Sequence, residues 1–152
     1  MKAQCYDTLN RQAAALLDGE TDLIAAMANF SALLNEHLEQ LNWVGFYLLK
    51  GPQLVLGPFQ GKVACSRIAV GKGVCGAAVS ENRTQRVGDV HQFAGHIACD
   101  AASNSEIVVP VRQQGQIVAV LDVDSPLTDR FDAIDQQGLE TLVATFERCL
   151  FA

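Results

Sequence analysis

The stretch EIVVPVRQQGQIVAVLDVD, residues 106–124, decides the fold. It holds two runs, 106–112 and 117–124, around the polar turn Gln113-Gln114-Gly115-Gln116. Val and Ile dominate both runs. A short glycine-containing break between such runs marks a β-hairpin. Ser125-Pro126 ends the second strand, because proline has no N–H to give to a ladder. Beyond it, Asp132 is placed to cap a last helix with Ile134, Leu139, Leu142, Phe146 and Leu150 on the buried side. Before it, residues 88–105 are rich in small residues, His and Asp and read as a long loop with one helical turn. Loops of that length in compact domains are often functional.

Further back, a helix is expected over 74–82, after the break Gly71-Lys72-Gly73, and a strand over 67–70. Trp43-Val44-Gly45-Phe46-Tyr47-Leu48-Leu49 and Leu54-Val55-Leu56 flank the turn Lys50-Gly51-Pro52-Gln53 as another hairpin. The first forty residues carry helical spacing instead. Leu9, Ala13, Leu16 and Leu17 mark one helix, closed by Asp18-Gly19. Thr21 is the expected N-cap of a second, with Leu23, Met27, Phe30, Leu34, Leu38 and Leu41 following. This order describes an antiparallel sheet with helices packed against it, the α+β class. No linker, repeat or low-complexity segment interrupts the 152 residues, so one domain over 1–152 is expected.

Hydrophobic residues make up 49% and charged residues 18%, enough for a packed core rather than a disordered chain. A net charge of −6 provides no basic footprint for nucleic acid or an anionic membrane. No apolar run approaches the ~20 residues needed to span a bilayer, and no secretory leader pattern opens the chain. The expected compartment is the cytoplasm, where thiols stay reduced. Five cysteines, an odd number, argue against a purely structural disulfide framework.

Cys65, Cys75 and Cys99 fall in the irregular middle of the chain. Cys75 sits near the start of a short helix, where the helix dipole favours a thiolate. Free cysteine is also among the most buried residue types, so three small core residues is the other reading. Cys5 and Cys149 lie on terminal helices and are expected to fill core. No Cys-x₂₋₄-Cys pair supports structural zinc, and neither metal nor cofactor is expected. Asp122 and Asp124 are two apart in a strand and share a face. Glu106 opens the partner strand, so three carboxylates can converge there. Crowded carboxylates raise one another's pKa and can leave an acid able to donate near neutral pH; a solvated sheet face is the other reading. Trp43 and Tyr47 share a strand face and can wall a small apolar pocket or simply pack in the core. His91 and His96 accompany Cys99 in the long loop, as thiol partners or as ordinary loop residues.

The run GDVHQFAGHIACDAASNSEIVVP, residues 88–110, resembles the signature of the free methionine-(R)-sulfoxide reductases, which are stand-alone GAF-domain enzymes. The resemblance extends to Asn42-Trp43-Val44-Gly45-Phe46-Tyr47, Gly57-Pro58-Phe59-Gln60-Gly61, Gly71-Lys72-Gly73-Val74-Cys75-Gly76 and Leu121-Asp122-Val123-Asp124-Ser125. It implies a GAF-like sheet, Cys99 as nucleophile and Cys65 as resolving thiol, with Cys75 either resolving or auxiliary. It implies that Glu106, Asp122 and Asp124 bind and polarise free methionine-R-sulfoxide, and that Trp43 and Tyr47 surround its methylsulfinyl end. It also implies a homodimer recycled by thioredoxin. A non-catalytic GAF sensor for a small ligand such as a cyclic nucleotide is the alternative. A redox sensor signalling through its disulfide is a third.

Overall fold

The computed structural model describes residues 1–96 and 102–152. Six strands run β1 Trp43–Lys50, β2 Gln53–Gly61, β3 Arg67–Ala69, β4 Gln85–Val87, β5 Ser105–Gln113 and β6 Gln116–Ser125. They form one sheet in the order β3-β2-β1-β6-β5-β4, and every pairing is antiparallel. The β5–β6 hairpin turns at Gln114 (φ 53°) and Gly115 (φ 79°). Positive φ at both central residues is what a tight type I′ turn demands, and its twist matches the strands it joins. With α1 Lys2–Leu17, α2 Leu23–His37, α3 Gly73–Ser80 and α4 Ala133–Phe151, the architecture is the expected α+β.

Strand alternation divides the sheet into two faces. Val44 and Phe46, Ile107, Val109 and Val111, and Ala119, Leu121 and Val123 point to one side. There they form the main core with Leu9, Phe30, Leu142 and Phe146 of α1, α2 and α4. Trp43, Tyr47, Val108 and Val120 point to the other side. They pack with Leu54, Ile68 and the Val74, Cys75 and Ala78 of α3. Three helices therefore cover one face, and the short α3 lies against the other.

Helix α4 starts in a capping box, in which Asp132 accepts from the amides of Ile134 and Asp135 and Asp135 accepts from the Asp132 amide. The Asp135 amide and then Lys2 hold the Asp132 carboxyl down to about 2, so the cap stays charged. Helix α2 is capped by Asp22, whose Oδ1 accepts from the Ala25 amide at 2.8 Å. Thr21 does not cap it; the Glu20 carboxylate instead takes the amides of both Thr21 and Asp22.

Other expectations need correction. Leu16 and Ile134 are 43% and 45% exposed. Each lies one position off the stripe that is buried, Tyr6, Leu9, Ala13 and Leu17 in α1 and Asp135, Leu139, Leu142, Val143, Thr145 and Phe146 in α4. A single residue turns the helix by about 100°, enough to leave the core face. Cys5 is exposed for the same reason, since its neighbour Tyr6 takes the buried position, whereas Cys149 packs partly against the core. Strand β4 was not expected; it pairs Gln85 with Val108 and Val87 with Glu106. The long loop does contain one helical turn, a 3-10 turn at Val90–Gln92. Among the described residues no helix is long and apolar enough to cross a membrane.

Candidate active site

On the α3 face, β5 and β6 align Glu106 opposite Asp124 and Val108 opposite Asp122. Three carboxylates from adjacent strands thus share one patch. The sheet face is not solvated there: Glu106, Asp122 and Asp124 are 8%, 5% and 7% exposed. Burial pushes the Asp122 carboxyl well above the usual carboxylate range, and the charges of Asp124 and Glu106 push it further. Burial and then Glu106 do the same to Asp124, against hydrogen bonds from Asp122 and Ser103 that favour its charged form. The Oδ1 atoms of both aspartates are buried without a hydrogen-bond partner among the described residues. Among those residues no lysine or arginine makes an ion pair with any of the three acids. Buried acceptors are ordinarily satisfied, so orphaned ones mark a place with a task other than stability.

Cys75, the third residue of α3, is buried against this patch. Its Sγ, a Glu106 oxygen and an Asp122 oxygen all lie within 4.8 Å of one another. Burial pushes the Cys75 thiol well up, and Asp122, Glu106 and Asp124 add to that. The thiolate expected from the helix N-terminus is therefore not favoured. The partial charge of an eight-residue helix is outweighed by lost hydration and three nearby acids.

The aromatic wall comes from β1 and β2. Trp43 stacks on Tyr47 with ring centroids 5.9 Å apart, and on Phe59 at 5.0 Å. Gly45 lies between Trp43 and Tyr47 and opposite Phe59 and Asp122. A Cβ there would run into the Phe59 backbone and Cβ, so glycine allows the stack to close. The polar edges of the same rings hold the chain after β2. Trp43 Nε1–H donates to the Lys62 carbonyl at 3.1 Å, and the Tyr47 hydroxyl donates to the Cys65 carbonyl at 2.8 Å. Burial raises the Tyr47 phenol above its usual range, which keeps it a donor.

Trp43, Tyr47, Cys75, Glu106, Asp122 and Asp124 line one cavity, together with Ser103 and His96. Cys65 packs beside this cluster and is disulfide-bonded, whereas Cys5, Cys75 and Cys149 are free thiols. Cys99 lies outside the described residues. His91 is exposed, and its Nε2 meets the Asn104 side-chain oxygen at 2.9 Å. Sequence reasoning missed Phe59 as part of the wall and Ser103 as a partner of Asp124. Regular alternation from Leu54 and Leu56 puts Phe59 on the opposite face; a register shift between Leu56 and Phe59 turns it back to the wall, and the local sequence does not announce that shift. Nothing in the local sequence singles out Ser103. Chemically, the cavity sets proton-holding acids and acceptors for a cation beside an apolar aromatic wall.

A GAF domain family model matches residues 26–150. Sheet order, helices and this match define a GAF-domain protein. The free methionine-R-sulfoxide reductase of Escherichia coli (strain K12) is 58% identical over 149 residues, covering 98% of this chain and 90% of that protein. The structure of the Staphylococcus aureus fRMsr in complex with substrate matches with a TM-score of 0.92 and 58% identity, over 95% of each chain. The free methionine-R-sulfoxide reductase from Neisseria meningitidis, in complex with its substrate, matches with a TM-score of 0.94 and 42% identity, over 98% of this chain and 90% of that one. The chain belongs to the free methionine-R-sulfoxide reductase family of enzymes.

Proposed function

We propose that this chain reduces free L-methionine (R)-S-oxide to L-methionine by cysteine sulfenic acid and disulfide chemistry, and that thioredoxin recycles it. The observation that carries the reading is the buried trio Glu106, Asp122 and Asp124 beside the Trp43–Tyr47 wall. Displacing oxygen from a sulfoxide requires a proton at that oxygen. A carboxyl held above its usual range can deliver one near neutral pH. The remaining carboxylate charge suits the ammonium group of a free amino acid, and the aromatic rings suit its methylsulfinyl end.

In this mechanism the Cys99 thiolate attacks the sulfoxide sulfur while an acid of the trio protonates the oxygen. Methionine leaves, and Cys99 is left as a sulfenic acid. The Cys65 thiol condenses with it, releasing water and forming a disulfide. The disulfide bond at Cys65 supports that role. Thioredoxin's two thiols then reduce the disulfide and become oxidised in turn. Free Cys75, buried under the acids, fits an auxiliary role better than a resolving one. The acid-lined cavity is hostile to a nucleotide phosphate, which argues against the sensor alternative. We take residues 1–152 as one domain, cytoplasmic and homodimeric, acting under oxidative stress; no described helix suits a membrane.

The test supplies each epimer of free methionine sulfoxide with thioredoxin and measures methionine by amino-acid chromatography. Only the R epimer is expected to be consumed. Cys99→Ser is expected to be inactive, and Cys65→Ser to yield about one methionine per chain and then stall. Turnover of Cys99→Ser at the wild-type rate would remove Cys99 as nucleophile.

A further inference from the structure

We propose that Cys75, Glu106 and Asp122 form a binding site for a zinc-like divalent cation. The three ligating atoms come from α3, β5 and β6 and lie within 4.8 Å of one another. Tetrahedral zinc holds sulfur at ~2.3 Å and carboxylate oxygen at ~2.0–2.2 Å. The ligand atoms of such a shell sit roughly 3–4 Å apart, within a small side-chain adjustment of the observed spread. A second observation comes from outside the triplet. Asp124 lines the same cavity, and its Oδ1 is buried without a partner, ready to serve as a further acceptor. Among the described residues no basic side chain pairs with these acids. A divalent cation would give these acceptors a partner that no ion pair among the described residues supplies.

The donor set selects the ion. Calcium and magnesium take oxygen ligands in larger or more hydrated shells, whereas a mixed thiolate and carboxylate set favours zinc and its neighbours. Binding expels the Cys75 thiol proton and the proton held on the Asp122 carboxyl to solvent, leaving a thiolate and a carboxylate as ligands. The ligands stand on a helix and two paired strands, which fixes their relative placement. An ion held there would close the cavity to an amino-acid ammonium group, so zinc would inhibit in competition with substrate. That consequence rests on the proposed function; the site itself does not.

The experiment uses the disulfide-intact chain carrying Cys5→Ser and Cys149→Ser, so that Cys75 is the free thiol that remains among the described residues. Co²⁺ is titrated and followed by its visible bands and by the near-ultraviolet thiolate-to-cobalt charge-transfer band. Zn²⁺ affinity is measured by calorimetry. About one ion per chain is expected, with a charge-transfer band that Cys75→Ser abolishes. Asp122→Asn is expected to weaken Zn²⁺ binding at least ~tenfold, the scale of losing one coordinating or orienting group. No charge-transfer band in the parent chain, the same band in Cys75→Ser, or unchanged Zn²⁺ affinity in Asp122→Asn would each overturn the site. None of these readings depends on reductase activity.

Discussion

The Tyr47 hydroxyl reaches the Cys65 carbonyl at 2.8 Å while its ring stacks beside Trp43. Tyr47→Phe removes the bond and keeps the wall, so it separates substrate contact from control of Cys65. One neutral hydrogen bond is worth about 1 kcal/mol, or roughly fivefold in a rate. Tyr47→Phe is therefore expected to release its first equivalent of methionine at the wild-type rate. Its disulfide should form about fivefold more slowly, as read by rapid quenching and thiol counting. Equal slowing of both steps would instead assign Tyr47 to substrate binding alone. The sequence discloses this residue only in part. The four-residue spacing of Trp43 and Tyr47 and the two-residue spacing of Asp122 and Asp124 follow from strand period. The partners of their polar atoms do not, because Lys62, Cys65 and Ser103 are brought in by tertiary contacts. Cys75 shows the same limit in reverse. Its helix is legible and suggests a thiolate, but burial, and then three acids from β5 and β6, decide otherwise.

Helix α4 is held at its start by more than its own cap. Asp135 is 1% exposed. It accepts from the Tyr6 hydroxyl at 2.7 Å, from Lys2 Nζ at 2.9 Å and from Arg130 Nη1 at 3.3 Å. One carboxylate thus pins α1 to α4 while closing the capping box. Breaking a buried, paired charge typically costs ~3–5 kcal/mol, because the partners are left without compensation. Asp135→Ala is expected to lose stability on that scale in urea unfolding, with KM unchanged in the folded fraction because α4 packs on the face opposite the cavity. A loss under about 1 kcal/mol would show that water replaces the contacts. Asp132 as a cap is legible because capping is local. Asp135 as a hub is not, because Tyr6 and Lys2 stand 129 and 133 residues away. Strand β4 escaped notice for a related reason: three residues are too few to display a period, and its identity comes from pairing with β5.

Across the whole molecule the sheet separates two environments. One face is apolar and closed by three helices, with Phe30, Phe46 and Phe146 in mutual ring contact at 5.2–5.8 Å. The other carries buried acids whose protonation the fold favours. The division itself was readable, since alternation sorts Ile107, Leu121 and Val123 from Glu106, Asp122 and Asp124. The closing of the acids under α3 was not, because it depends on where Val74 and Cys75 land. The closure has a thermodynamic consequence. Asp122 and Asp124 have raised folded-state pKa values, so the folded protein keeps protons that the unfolded chain releases near pH ~3.9. Stability must therefore fall as pH climbs from there toward the raised values, and level off above them. Asp124→Asn removes part of that penalty and, with it, an acid that the proposed reaction uses. It is expected to raise the melting temperature at pH 7 and above by a few degrees, since ~1 kcal/mol is worth about 2–4 °C in a chain of this length. The gain should shrink toward pH 4, as the unfolded chain begins to keep these protons as well. Turnover should fall at least ~tenfold, the scale of losing a general acid. Melting curves from pH 4 to 9 with a chelator present, beside the chromatographic assay, test both halves. A variant no more stable than wild type at pH 8 would mean the acids are ionised and satisfied. A variant with full turnover would mean that the proton comes from elsewhere.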